Sequence, residues 1–204
     1  MMMRRVFVKI LFIVSILGFS SNIYASEVDD LKAHFLEELD DIIKIIENKQ
    51  YTKDERNAKI VDELTPMFDF KLMAKLSLGK KEWMSLSKDE REKFVTLYVE
   101  RMKNSYSSKI DAYENEKITI TNIKRKKSRM LLSTEISTAE KNLKIVYKFY
   151  KPKKRKKDKD AWLIYDVEII GISILKADKA QFKEFLRTKS IEDLMEALAT
   201  KKTS

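Results

Sequence analysis

The chain holds a single histidine, His34, and this limits its chemistry at once. A serine nucleophile needs a base beside it, and imidazole is the usual one. His34 sits in a helix-patterned segment with neither a nucleophile nor a set of ligands around it. Ser173, in Gly171-Ile172-Ser173, lacks the flanking glycines of a nucleophile elbow. Only Gly18, Gly79 and Gly171 are glycines, too few for a loop that cradles phosphate through its backbone. Without cysteine there is neither a disulfide nor a thiolate metal site. Carboxylate pairs such as Asp40 and Asp41 lie on charged helix faces, and 32 acidic residues make such pairs by chance. These residues point to no catalytic centre, no metal and no cofactor.

What the chain has in excess is positive charge. Lysine and arginine outnumber acids by ten, which favours an anionic partner. Two runs carry much of it: "KRKKSR" (124–129) has five basic residues, and "KPKKRKKDKD" (151–160) has seven against two acids. Lys124, Arg125, Lys126, Lys127 and Arg129 from the first run, with Lys153, Lys154, Arg155, Lys156 and Lys157 from the second, form a candidate docking patch. Either a solvated pair of loop tips or a contact with anionic lipid or an acidic partner is compatible with them. Nucleic acid is disfavoured, because no aromatic residues interleave with the lysines to stack on bases.

The elements that carry these runs follow from spacing. "MMMRRVFVKILFIVSILGFSSNIYAS" has a basic start, an apolar stretch and small residues before Ala25. That is the layout of a cleaved export signal over 1–25, leaving 26–204 as one domain in the periplasm or outside the cell. Residues 27–48 place Val28, Leu31, Phe35, Leu39, Ile42 and Ile46 three and four apart, the pattern of an amphipathic helix. A second helix is predicted over about 53–64, and Pro66 stops it. "DFKLMAKLSLG" predicts a short helix ended by Gly79. Ser87 and Glu90 form a capping box that opens a helix to about residue 113. The period then changes to two: 117–123, 130–138, 143–150 and 162–170 read as four strands of an antiparallel meander. Two helices follow, one near 178–188 and one after Ser190. Helices, then strands, then helices is the α+β order. In a meander the first and third turns share one end of the sheet, so both basic runs should meet there.

One strand is anomalous. In "WLIYDVEIIGISIL" (162–175), strict alternation puts Trp162, Ile164 and Ile170 on one face and Leu163, Tyr165, Val167 and Ile169 on the other. Both faces are then apolar. Phe68, Phe70, Met73, Leu76, Leu78 and Trp83 are also crowded together. Ordinary core and an oil-walled cavity remain equally compatible with this pattern.

Specific motifs add to that reading. "WLIYDVEIIGIS" (162–173) resembles the W-x-x-Y-D-x-x-x-x-G-[VI]-S signature of the MlaC, or toluene-tolerance, family of periplasmic phospholipid-binding proteins. "LSLGKKEWMSLSKDEREKFVTLYVERMKNSY" (76–106) and "FLRTKSIEDLMEAL" (185–198) resemble two further stretches of that family, in order along the chain. The resemblance implies a curved sheet and helices around a deep apolar cavity, with a phospholipid as cargo rather than a cofactor. It implies a shuttle between an outer-membrane lipoprotein complex and an inner-membrane ABC transporter of the Mla pathway; a monomer is expected. The cavity wall expected on this basis comprises Phe70, Met73, Leu76, Trp83, Phe94, Tyr98, Met102, Trp162, Ile164, Tyr165, Val167, Ile170, Ile172 and Ile174. A lipid hydrolase using His34 or Ser173, and a structural adaptor with a filled core, are the competing readings.

Overall fold

A computed structural model describes residues 26–111, 116–138 and 142–200, with the backbone alone over 103–111. The export signal expected over 1–25 lies outside the described residues. Packing divides the chain into two units, residues 1–41 and 42–204. The first helix, α1 (26–47), begins in the first unit, where Leu31 and Phe35 of its apolar stripe are buried.

In the second unit the helices begin where local chemistry dictates. Thr52 and Glu55 cap α2 (Lys53–Leu64) reciprocally. The Asp69 carboxylate accepts from Leu72 N and caps α3 (Phe70–Leu78), which ends at Gly79. Gly79 has φ 90°, a value that costs a glycine little and other residues much, and α4 (Lys80–Ser85) follows at once. The Ser87–Glu90 box opens α5 (Lys88–Asp111), with bonds of 2.7 and 3.2 Å. The last two helices are α6 (Ile174–Phe185) and α7 (Ile191–Thr200), the latter capped by Ser190 and Asp193. Helix α6 starts four residues before its expected position, because the Ser173 hydroxyl accepts from Lys176 N and nucleates it there.

The sheet is an antiparallel meander in the order β1 (Lys117–Lys126), β2 (Arg129–Ser137), β3 (Asn142–Tyr150), β4 (Leu163–Ile169) and β5 (Ile172–Ser173). It therefore has five strands rather than the expected four. The added strand is two residues long and is reached through a turn in which Ile170 and Gly171 both have positive φ. At the opposite end of β4, Asp69 N donates to Ile164 O and Ile164 N donates to Met67 O. The connection from α2 to α3 thus pairs with β4 as a short parallel bridge.

The meander resolves the anomalous strand. Lys148 faces Asp166 and Phe149 faces Ile164, so Tyr165 has no partner and forms a bulge. The extra residue shifts the parity of the strand. Ile164, Val167 and Ile169 consequently share one face, while Leu163, Asp166 and Glu168 share the other. Strict alternation had wrongly placed Val167 and Ile169 with Leu163. A second bulge, at Thr121, does the same for β1 and brings Ile118, Ile120 and Ile123 onto one face despite their uneven spacing. Across the register, that face continues through Met130, Leu132, Thr134 and Ile136 of β2 and Leu143, Ile145, Tyr147 and Phe149 of β3. One side of the sheet is therefore almost wholly apolar over four strands.

The other side carries the frame. Lys148 lies 2.9 Å from both Asp166 and Glu168. Burial disfavours its ammonium, yet the two carboxylates outweigh that and hold its pKa above the usual lysine value. Asp166 also accepts from Ser173 Oγ at 2.8 Å and from Leu175 N at 3.1 Å, which pins the start of α6 to β4.

Candidate functional site

The expected wall residues fall in three places. Met73, Trp83, Phe94, Tyr98 and Met102 are buried in one helical core with Phe182, Leu194 and Leu198, and Phe70 and Ile174 pack against it. This core is filled by its own rings. Phe182 meets Phe94 and Tyr98 edge-on, with centroids 6.0 and 6.3 Å apart. The Tyr98 hydroxyl donates to Asp178 at 2.9 Å, and Arg101 pairs with Asp178 at 2.7 Å. Burial and the Asp178 charge raise the Tyr98 phenol far above its ordinary pKa. Within the crowding between Phe68 and Trp83, Met73, Leu78 and Trp83 are therefore buried protein core, with Phe68 and Phe70 packed against it.

Three further candidates point outward. Leu76 is 37% exposed on α3, and Ile170 and Ile172 are 61% and 66% exposed at the β4–β5 turn. Tyr165, moved by the bulge, stands edge-on to Tyr150 beneath Arg129. Of these four, only Ile172 lies on the apolar side of the sheet, where it faces Ile169 across the β4–β5 pair.

Ile164 and Val167 do lie there, and Trp162 is buried at its basic end beneath Arg125 and Lys151. The residues that complete the face were not among the expected ones: Ile118, Ile120, Ile123, Ile136, Leu143, Ile145, Tyr147 and Ile169. All of these are only half-buried, whereas Met130, Leu132, Phe149 and Ile164 near the basic end are fully buried. Tyr147 is half-buried among them, and burial pushes its phenol pKa up. The signal was present in the period-two spacing of the first three strands.

A recess of about 350 Å³ lies elsewhere, between α3, the start of α5 and the end of β3. It is not the apolar hollow expected. Lys71, Lys75, Lys88, Arg91 and Lys156 line it against Asp69 and Glu92, with Trp83 and Tyr150 also contributing.

The basic runs meet as the topology requires. Arg129 faces both Lys126 and Tyr150, and Tyr150 faces Leu163, so the β1–β2 turn and the β3–β4 connection share an end. Lys124, Lys126, Lys127, Lys153, Lys154, Arg155 and Lys157 are exposed there. Lys156 is exposed there too, but its ammonium is held by buried Asp69, which also accepts from the Tyr150 hydroxyl. Burial disfavours the Asp69 anion, but Lys156, Tyr150 and Leu72 N together outweigh it and lower its pKa. Lys159 donates to the carbonyls of Thr65 and Phe68, and Asp160 N to that of Pro66. The lysine-rich connection is thereby clipped against the α2–α3 segment.

The residues of the competing chemistry are otherwise engaged. Ser173 is 5% exposed and its hydroxyl both binds Asp166 and caps α6. His34 lies 3.8 Å from Glu38 on the same helix. Among the described residues, no group of histidine and carboxylates could hold a metal ion, and no helix is long and apolar enough to cross a membrane.

Among solved structures the chain is similar to the phospholipid-binding protein from Ralstonia solanacearum, determined in complex with a phospholipid. Identity is 15% and the TM-score is 0.72, over 83% of this chain and 95% of that one. At that identity the likeness speaks for the α+β fold. No curated protein matches the chain by sequence. A family model described as MlaC protein matches residues 37–200, the helices, the meander and the closing helices alike, and on that match the chain belongs to the MlaC family.

Proposed function

We propose that this chain is a periplasmic carrier of phospholipid and not an enzyme. It takes lipid between the outer-membrane and inner-membrane Mla complexes and so helps maintain outer-membrane lipid asymmetry. Family membership and the phospholipid-bound neighbour support lipid as the cargo. The observation that carries the reading is the apolar side of the sheet, where Ile118, Ile120, Ile123, Ile136, Leu143, Ile145, Tyr147 and Ile169 stay half-buried while Met130, Leu132, Phe149 and Ile164 near the basic end are fully buried. Acyl tails lie along this face, with Ile145 and Tyr147 near its middle, and the headgroup remains wet.

The energetics explain why a protein is needed. Each methylene removed from water is worth about 0.8 kcal/mol, so exposing two tails costs on the order of 20 kcal/mol or more. An apolar lining removes that barrier without catalysis. Relative to a bilayer the net change is small, because the tails pass from one oily medium to another. Net direction then depends on the affinities at the two docking sites and on the transporter's ATPase.

Native mass spectrometry of protein purified from cells, with organic extraction, tests this. About one intact phospholipid per chain, on a monomer, is the expected result. A chain that arrives at its bare mass, with nothing in the extract, removes the carrier reading and leaves the adaptor.

A further inference from the structure

The basic end of the sheet forms a single surface with the recess beside it. Lys126 and Lys127 project from the β1–β2 turn, and Lys153, Lys154, Arg155 and Lys157 from the β3–β4 connection; all are exposed. Lys156 joins this surface to the recess, whose lining includes the exposed Lys71, Lys75 and Lys88. The clips from Lys156 to Asp69 and from Lys159 to Phe68 hold the connection in place, so its charges are presented from a fixed base.

We propose that this end docks on the surface of an anionic phospholipid bilayer, with the recess taking one phosphate-bearing headgroup. The inference goes beyond the carrier reading and uses none of the apolar face. Its composition selects a bilayer over a protein partner. Protein interfaces are depleted in lysine and centred on aromatic anchors, whereas the exposed tips here are lysine-rich and carry no aromatic residue. Lysine clusters of this kind recognise the diffuse charge of anionic lipid, and each basic residue adds to the attraction. The recess is lined by five basic residues against the carboxylates of Asp69 and Glu92, the former already paired with Lys156, and its volume is at the small end of ligand sites.

The test is sedimentation of chain 26–204 with vesicles of phosphatidylcholine alone and of phosphatidylcholine mixed with phosphatidylglycerol. The expected result is binding to the mixed vesicles only, weakening steeply as salt rises. Reversing four charges, K153E/K154E/R155E/K157E, is expected to weaken it by roughly a thousandfold or more, while replacing the three lysines by arginine preserves it. Lys75→Glu separates the recess from the tips and should give a smaller loss. Polyglutamate serves as the acidic-polypeptide competitor. Equal binding to both vesicles, indifference to salt, an unaffected fourfold variant, or binding to polyglutamate without binding to vesicles would each overturn the proposal. Extraction of lipid from the fourfold variant keeps the two questions apart: retained cargo with lost vesicle binding is the expected pair, and an empty wild-type chain that still binds vesicles would sink only the carrier.

Discussion

The helical core and the apolar side of the sheet are both oily, but they are built differently. In the core, Phe94, Tyr98 and Met73 are wholly buried, and the rings of Phe94, Tyr98 and Phe182 meet one another. On the sheet, Ile118, Ile145 and Tyr147 are only half-buried. Close packing is the default in protein interiors, and the core meets it; on the proposed function, the half-buried sheet face is the surface left for cargo.

The largest effect expected from this contrast is in the core. Phe94→Ala should cost about 3–5 kcal/mol by denaturant unfolding, through lost burial and a residual cavity. A cost near that of a surface substitution would show that the core is not the rigid partner. Ile145→Asp should act the other way: phospholipid no longer co-purifies, while circular dichroism shows a folded chain. Leu76→Asp, on the outer side of α3, is the control and should retain its lipid. If the two variants lose lipid equally, the sheet face is not the receiving surface.

Asp69 offers a pH test of the frame. Its folded pKa is lowered, so its contribution is present above the unfolded value and is lost as pH falls below about 4 toward the folded value. Wild type should exceed Asp69→Asn in Tm at neutral pH, by roughly 1–3 kcal/mol in stability terms. The gap should close under acid, and a gap independent of pH would show that the carboxylate charge is irrelevant. The smallest effect concerns Ile170, a β-branched residue at φ 49° with its side chain in solvent. Ile170→Asn should stabilise the fold by about 1 kcal/mol by relieving strain, and its lipid content should not change.

Much of the architecture was legible in the residues. Capping chemistry marked the starts of α5 at Ser87 and α7 at Ser190, and Gly79 marked the end of α3. The change of period at residue 117 announced the sheet. The apolar side of the sheet was harder to read. Strict alternation fails wherever a strand bulges, and the strands bulge at Thr121 and Tyr165. Those two residues decide which isoleucines look inward. Crowding between Phe68 and Trp83 suggested a wall, but density of apolar residues is what a filled core also requires. The role of Lys156 was hidden for another reason: its partner, Asp69, is distant along the chain and looks like a simple helix cap.

The pairing of Met67 and Asp69 with Ile164 has a consequence for how such a sheet avoids polymerising. A strand with unsatisfied amides invites a strand from a second molecule. On β4 the outer rim is occupied at one end by β5 and at the other by this short bridge. The opposite rim, β1, is interrupted at Thr121 and studded with Lys117, Lys124 and Lys126. A protein that keeps one broad oily side available is thus guarded along both margins against stacking into fibres.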